Sequence, residues 1–375
     1  MGALSKRLAV LAGARPNFMK VAPLMAAMAH DKDLEPVLIH TGQHYDDAMS
    51  GTFLRDLQIP PPRHHLQVGS GTHAQQTAEI MKRLEPVLSE EAAAGVIVVG
   101  DVNSTVAGAL VGSKLGMPVI HAEAGLRSFD RTMPEEINRM VTDAISDLLL
   151  VTEESGRVNL LKEGKEESSI VMVGNLMVDS LRRHLDDALR SDVRRRLALE
   201  EAKYGLVTLH RPANVDDEEK LAEITGALKN IAEELPLYWP VHPRTRKRLE
   251  TAGLNLSSRI HLLEPLSYFD FLHMQAKADT IFTDSGGIQE ESTVLGVKCL
   301  TLRENTERPA TIEYGTNRLA GTTTESILRG WEAVRGRPSK GSIPPLWDGK
   351  AGIRCHAALR RFFALPVLNE QVLNV

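Results

Sequence analysis

GLVTLHRPANVDDEEKLAEITGALKNIAEELPLYWPV, residues 205–241, contains one full period of the pattern that decides the fold. GLVTL (205–209) and LYWPV (237–241) are short apolar runs without polar alternation, which reads as parallel strands covered on both faces. Between them, DEEKLAEITGALKNIAEE (217–234) sets Leu221, Ile224, Leu228 and Ile231 at helical spacing, predicting an amphipathic helix. Strand, helix and strand in that order form the repeating unit of an α/β protein with a parallel sheet.

The period recurs outward in both directions. LAVLA (8–12), PVLIH (36–40), VIVVG (96–100), PVIHA (118–122), LLLVT (148–152) and SIVMVG (169–174) precede it, and RIHLL (259–263), TIFTD (280–284) and KCLTL (298–302) follow. The alternation breaks once. Residues 177–203 are helical and charged, with Asp186, Asp187, Arg194, Arg195 and Arg196, and contain no strand-like run. A junction near 175–185 then leaves two doubly wound domains of five or six strands facing each other, as 375 residues would suggest. Residues 353–364 read as a terminal helix with Leu359, Phe362 and Phe363 on its apolar face.

Composition narrows the function classes. Hydrophobic residues at 42% and charged residues at 25% are the balance of a soluble globular chain, and aromatics at 4% leave the cores to aliphatic side chains. Lys plus Arg at 44 against Asp plus Glu at 49 gives a net charge of -5, which argues against a nucleic-acid footprint but leaves room for a local basic pocket. Cys299 and Cys355 show neither metal-type spacing nor a disulfide framework, so a reducing cytoplasm is expected. The opening segment lacks the features of a signal peptide. No apolar run approaches the roughly 20 residues of a membrane span.

In open parallel sheets, ligands bind beyond the carboxyl ends of the strands. Those ends here read GARPN (13–17), TGQHYDD (41–47), DVNST (101–105), EAGLRSFDRTMPEEINR (123–139), HRPAN (210–214), HPRTR (242–246) and DSGGIQEE (284–291). Each alone has an ordinary structural role as a cap or turn, but together they concentrate ionisable side chains and glycine on one edge of both sheets. DSGGIQEE has the clearest mechanism: two glycines permit close backbone approach at a helix N-terminus, which suits a phosphate, and Ser285 adds a hydroxyl. Absences matter too. No G-x-G-x-x-G follows the first strand and no P-loop motif is present, so a nicotinamide site and a P-loop nucleotidase are disfavoured. No His, Cys or Asp set has metal-ligand spacing. His64 and His65 sit in a polar stretch and read as solvated.

GARPNFMK (13–20), TGQHYD (41–46), GDVNSTVAGAL (100–110), EAGLRSFDRTMPEEINR (123–139), LHRPANVD (209–216), PVHPRTR (240–246), TDSGGIQEE (283–291) and RENTERPATIEYGTNRLAG (303–321) resemble, in order, the signature blocks of the non-hydrolysing UDP-N-acetylglucosamine 2-epimerases. The resemblance implies a glycosyltransferase-B type fold, with two Rossmann-like domains around a central cleft. Residues 1–178 would form the N-terminal domain with the acid and base residues, 179–352 the diphosphate-binding domain, and 353–375 a helix packing back on the first. It implies a cytoplasmic homodimer needing no cofactor and no metal, with no membrane or nucleic-acid partner.

The resemblance also implies site residues. Asp101, Glu123, Glu135 and His210 match the acid and base positions. Arg15, Lys20, Ser285, Gly286, Gly287, Glu291 and Arg308 match substrate and nucleotide positions, with Glu291 at the ribose. Gln43, His44, Glu136, Arg211 and His242 match an allosteric second site; alternatively His242 and Arg244 line the phosphate end of the cleft. HRPAN (210–214) departs from a His-Arg-Arg-Glu-Asn run, and Asn17 and Phe18 stand where Glu and Ala are usual, which leaves the exact sugar open.

C1 of a nucleotide sugar is an acetal carbon, so no enolate can activate the C2 hydrogen. The family is understood to eliminate UDP to a glycal and add it back after protonation from the opposite face. Such chemistry needs acid and base groups on both faces of C2 and a pocket for the departed diphosphate. Crowded carboxylates would push at least one pKa up. The implied reaction is UDP-GlcNAc to UDP-ManNAc. A hydrolysing 2-epimerase releasing free ManNAc and UDP, a C2 epimerase of another NDP-hexose, a glycosyltransferase of the same fold and a sugar-nucleotide sensor are the alternatives.

Overall fold

A computed structural model describes residues 5–42, 54–199 and 203–368. The chain divides into two compact units, residues 1–180 with 345–375, and residues 181–344. The first unit carries a seven-stranded parallel sheet: β1 (Lys6–Ala12), β2 (Leu34–His40), β3 (His64–His65), β4 (Gly95–Val99), β5 (Val119–Ala124), β6 (Leu148–Val151) and β7 (Ile170–Met172), in the order β3-β2-β1-β4-β5-β6-β7. The second carries six parallel strands: β8 (Gly205–Thr208), β9 (Leu237–Pro240), β10 (Ile260–Leu263), β11 (Thr280–Thr283), β12 (Lys298–Thr301) and β13 (Asn317–Leu319), in the order β10-β9-β8-β11-β12-β13. Strand order reverses between β1 and β4 in one sheet and between β8 and β11 in the other. Those are the switch points where open α/β sheets leave a crevice.

The apolar runs are the strands. β4 is buried along its whole length, as expected for a strand covered on both faces. The helix predicted at 217–234 spans Glu218–Ala232, with Leu221, Ile224, Leu228 and Ile231 all at most 1% exposed. Asp217 caps it by accepting the Lys220 N–H at 3.1 Å, a contact typically worth ~1 kcal/mol. Two short strands escaped the sequence reading. His64 and His65 form edge strand β3 rather than a solvated loop, with His64 at 2.6 Å from the buried Glu91. β13 lies inside a block read only as a motif.

The chain returns to the first unit earlier than the sequence suggested. Residues 345–352 belong with the first unit, not with the second, and so do Asp179 and Ser180. The reason is local. The Trp347 indole N–H donates to the Thr152 carbonyl at 3.1 Å, and Asp179 accepts from Ala351 N and Gly352 N at 3.0 and 2.7 Å, capping the helix Ala351–Phe362. Further along that helix, Arg360 and His356 both hold the buried Asp31. Leu359 is fully buried, while Phe362 is 36% exposed and so contributes less to the apolar face than its type implied. Among the described residues no helix is long and apolar enough to cross a membrane.

Candidate active site

Two constellations occupy the two switch points. In the first unit, β1, β4 and β5 are adjacent, so the segments leaving them converge. Asp101 follows β4 by two residues, Glu123 lies near the end of β5, and Asn17 and Lys20 lie on the helix Arg15–Met28 that follows β1. Gly100 is their floor: with φ +70, a Cβ there would come within 3.1 Å of Lys20 Nζ and 3.6 Å of both Asn17 Nδ2 and Glu123 Oε2. Asn17 fixes the turn by accepting from Gly13 N and Ala14 N and donating to the Val99 carbonyl at 3.0 Å.

Glu123 has φ +75, rare for a residue with a Cβ, at an irregularity in the pairing of β5 with β6. Such conformations cost about 1–3 kcal/mol and persist only where the surroundings enforce them. Its carboxylate, 7% exposed, pairs with the equally buried Lys20. Asp101, about a quarter exposed, pairs with buried Arg139. Arg139 also reaches Glu136 at 2.6 Å through Nη2.

Glu136 is buried and saturated. It accepts from Ser128 N, Ser128 Oγ and Phe129 N at 3.0, 3.1 and 2.9 Å as well as from Arg139. Burial alone would raise its pKa, but the Ser128 and Arg139 bonds outweigh that and lower it. Glu135, its neighbour, is half-buried in the first turn of the helix Pro134–Ile145. Lys20 balances Glu123, and Arg139 serves both Asp101 and Glu136, so these three carboxylates each have a cation beside them.

In the second unit, β8 and β11 are neighbours, and their ends bring His210 to Asp284. The His210 Nδ1 lies 2.9 Å from Asp284 Oδ1, with the ring more than half exposed and the carboxylate fully buried. Asp284 also accepts from the backbone N–H groups of His210 and Arg211 and from Asn214 Nδ2. Burial pushes the Asp284 pKa up, but His210 and these donors more than reverse it. An ionised carboxylate on Nδ1 fixes the proton there and leaves Nε2 as the reactive nitrogen, the arrangement of an oriented general base.

Beside it stands an arginine cluster. Glu307, 3% exposed, takes Arg303 Nη2 at 2.8 Å and Arg211 Nη2 at 3.3 Å, while Arg308 Nε reaches Glu290 at 2.6 Å. Burial would raise the Glu307 pKa, yet Arg211, Arg303 and Arg308 drive it far below the usual carboxylate range. Three arginines thus gather around Glu307 and Glu290, and the Arg211 Nε also donates to the Asp284 carbonyl at 3.0 Å. Gly286, which opens the helix Gly286–Leu295, abuts this cluster: a Cβ there would sit 2.7 Å from Glu307 Oε1. Ser285 is the N-cap residue, and its side chain makes no cap hydrogen bond; Gly287 lies in the first turn.

The remaining sequence candidates are dispersed. Glu291 is buried with Gln275, whose Nε2 donates to it at 2.7 Å, and burial pushes its carboxyl up to about 7. His242 is exposed and caps the helix Pro243–Thr251, accepting the Arg244 N–H on Nδ1 at 3.2 Å. Gln43 and His44 lie outside the described residues, as does the side chain of Arg15, whose backbone opens the helix after β1. Sequence reasoning missed Asp284, Arg139, Arg303 and Glu307. Asp284 carried a signal: a charged residue directly after a buried apolar strand.

Parallel sheets with charged groups at both switch points define a glycosyltransferase-B-like α/β protein, and the comparisons narrow this. The UDP-N-acetylglucosamine 2-epimerase family model matches residues 26–360. UDP-N-acetylglucosamine 2-epimerase of Methanocaldococcus jannaschii is 41% identical over 93% of this chain and 97% of its own length. A crystal structure of the M. jannaschii enzyme in complex with UDP-GlcNAc and UDP superposes with a TM-score of 0.88 at 40% identity, covering 96% of this chain and 99% of that one. UDP-2,3-diacetamido-2,3-dideoxy-D-glucuronate 2-epimerase of Pseudomonas aeruginosa is 39% identical over 86% of this chain and 90% of its own. The chain belongs to the UDP-N-acetylglucosamine 2-epimerase family, a family of isomerases.

Proposed function

We propose that the protein interconverts UDP-GlcNAc and UDP-ManNAc without hydrolysis, by eliminating UDP to 2-acetamidoglucal and adding it back. The observation that carries this reading is the pair Asp101 and Glu123 on neighbouring strand ends, each carboxylate held by one buried cation. These two groups and His210 are the proton-transfer set, with Glu135 a further candidate of the same kind. A carboxylate takes the C2 proton as the C1–O bond to UDP breaks, and a second acid returns a proton to the other face of C2. Charge grows on the departing diphosphate. Arg211, Arg303 and Arg308, with the N–H groups at Gly286 and Gly287, suit that charge. Lys20 and Arg15 are further substrate-binding candidates, and Glu291 is the acceptor for the ribose hydroxyls. The reading includes a homodimer working in the cytoplasm.

A second reading concerns the sugar. The relative named for a diacetamido glucuronate, together with Pro212 and Ala213 in HRPAN, supports a different 2-acetamido sugar nucleotide as substrate. One assay covers both. Turnover of UDP-GlcNAc in D₂O should yield UDP-ManNAc carrying deuterium at C2 and at no other ring carbon. Free ManNAc with stoichiometric UDP identifies the hydrolysing alternative. Full retention of protium in the product defeats elimination altogether, and turnover only of the diacetamido uronate reassigns the sugar.

A further inference from the structure

His121 lies on β5 two residues before Glu123 and is completely buried. Its Nδ1 is 2.6 Å from Asp143 Oδ1 and its Nε2 is 2.8 Å from the carbonyl oxygen of Gly100. A carbonyl oxygen only accepts, so Nε2 carries a proton when that bond is made. Burial pushes the Asp143 pKa up, but His121 and Arg127 outweigh it and hold the carboxyl below its ordinary value. Nδ1 faces the Asp143 carboxylate, so the ring is fixed from both sides.

The two bonds end at informative places. Gly100 directly precedes Asp101. Asp143 Oδ2 accepts the backbone N–H of Gly125 at 3.1 Å, two residues after Glu123, and takes Arg127 at 2.7 Å. Asn159 Nδ2 donates to the Gly125 carbonyl at 2.9 Å. One histidine–carboxylate pair thus grips the backbone beside both proposed proton-transfer carboxylates, and it borders the left-handed conformation at Glu123 that needs external enforcement.

We infer that His121, held between Asp143 and the Gly100 carbonyl, is a positioning residue that sets Asp101 and Glu123 in register for proton transfer at C2. The inference rests on the function proposed above. Geometric errors of about 1 Å can cost ~10²-fold in rate, so His121→Gln should lower kcat about 10²-fold while the KM for the sugar nucleotide and the affinity for UDP stay within about twofold. Asp143→Asn should do the same. A purely structural His121 would instead lower thermal stability and leave kcat per folded molecule unchanged, which overturns the inference.

Nitrogen-15 NMR of the wild-type protein, labelled at histidine and assigned by comparison with His121→Gln, or with Asp143→Asn if the former fails to fold, tests it without kinetics. A ring protonated on Nε2, as the bond to the Gly100 carbonyl requires, supports it, and a neutral ring protonated on Nδ1 alone defeats it. Deuterium uptake by the wild type is the control. If the wild type fails to epimerise, the proposed function falls, and the NMR result still decides the protonation of the pair.

Discussion

The two switch points are built on opposite electrostatic plans. In the first unit, carboxylates project from strand ends and each is matched to a cation on the following helices: Glu123 to Lys20, and Asp101 to Arg139. In the second, Arg211, Arg303 and Arg308 gather around Glu307 and Glu290, and Asp284 serves His210. Proton transfer needs groups that change charge and are held still. Retention of a leaving diphosphate needs positive charge that does not change. Arginine cannot be deprotonated under working conditions, so the arginine cluster of the second unit is permanent, while the carboxylates of the first unit and His210 are adjustable.

The sharpest way to break this contrast is to neutralise the adjustable groups. Asp101→Asn, Glu123→Gln and His210→Asn should each lower kcat by roughly 10²–10⁴-fold, the usual contribution of a positioned acid or base. UDP affinity, measured by calorimetry, should hold for the Asp101 and Glu123 variants. A carboxylate variant with near wild-type kcat leaves that residue to its structural ion pair. Loss of UDP binding with unchanged kcat would reverse the division of labour.

The permanent plan is tested at Gly286. Gly286→Val places a branched side chain where even a Cβ lies 2.7 Å from Glu307 Oε1, and Glu307 is held by Arg303 and Arg211. Either Glu307 shifts and the arginines lose their anchor, or the helix N-terminus moves. Both outcomes predict UDP affinity weaker by roughly tenfold or more, about 1.4 kcal/mol. Unaltered affinity in a folded variant would remove this helix end from the diphosphate site.

How much of this was legible beforehand differs between the two plans. Apolar runs set the strands nearly residue by residue, because a strand buried on both faces has no reason to interrupt itself with a polar side chain. β3 and β13 were missed because two or three residues carry no periodicity. Asp101, Glu123 and His210 stood out as charges at strand ends. Their partners did not: Arg139 is a helix residue 38 positions from Asp101, and Glu307 meets Arg211 across 96 positions. Such pairs are made by the folded chain alone. The same gap hid the cations beside Asp101 and Glu123, and explains why Glu136, which reads as a candidate for a second ligand site, turns out to spend its oxygens on Ser128, Phe129 and Arg139.

The smallest effect separates a ligand-binding role for Glu291 from a purely internal one. Its carboxyl is raised from the ordinary 4.5 to about 7 by burial, only partly offset by Gln275. A folded value above the unfolded one means the native state holds this proton more tightly. The stability it contributes is complete below about pH 4.5 and is lost as pH rises through about 7. By pH 8 the ionised, buried group costs the fold on the order of 3 kcal/mol. Glu291→Gln cannot ionise and can still accept from Gln275. Its melting temperature should therefore gain on the wild type between pH 5 and pH 8, by several degrees at about 2–4 °C per kcal/mol. UDP should narrow the gap, because ribose hydroxyls donated to the ionised carboxylate would repay its burial in the wild type alone, whereas the variant should bind UDP more weakly and show a raised KM. Differential scanning calorimetry at both pH values, with and without UDP, reads all of this at once. Melting curves that run parallel across the pH range would show that Glu291 does not titrate there, and a pH-dependent gap untouched by UDP would leave it buried but without a part in nucleotide binding.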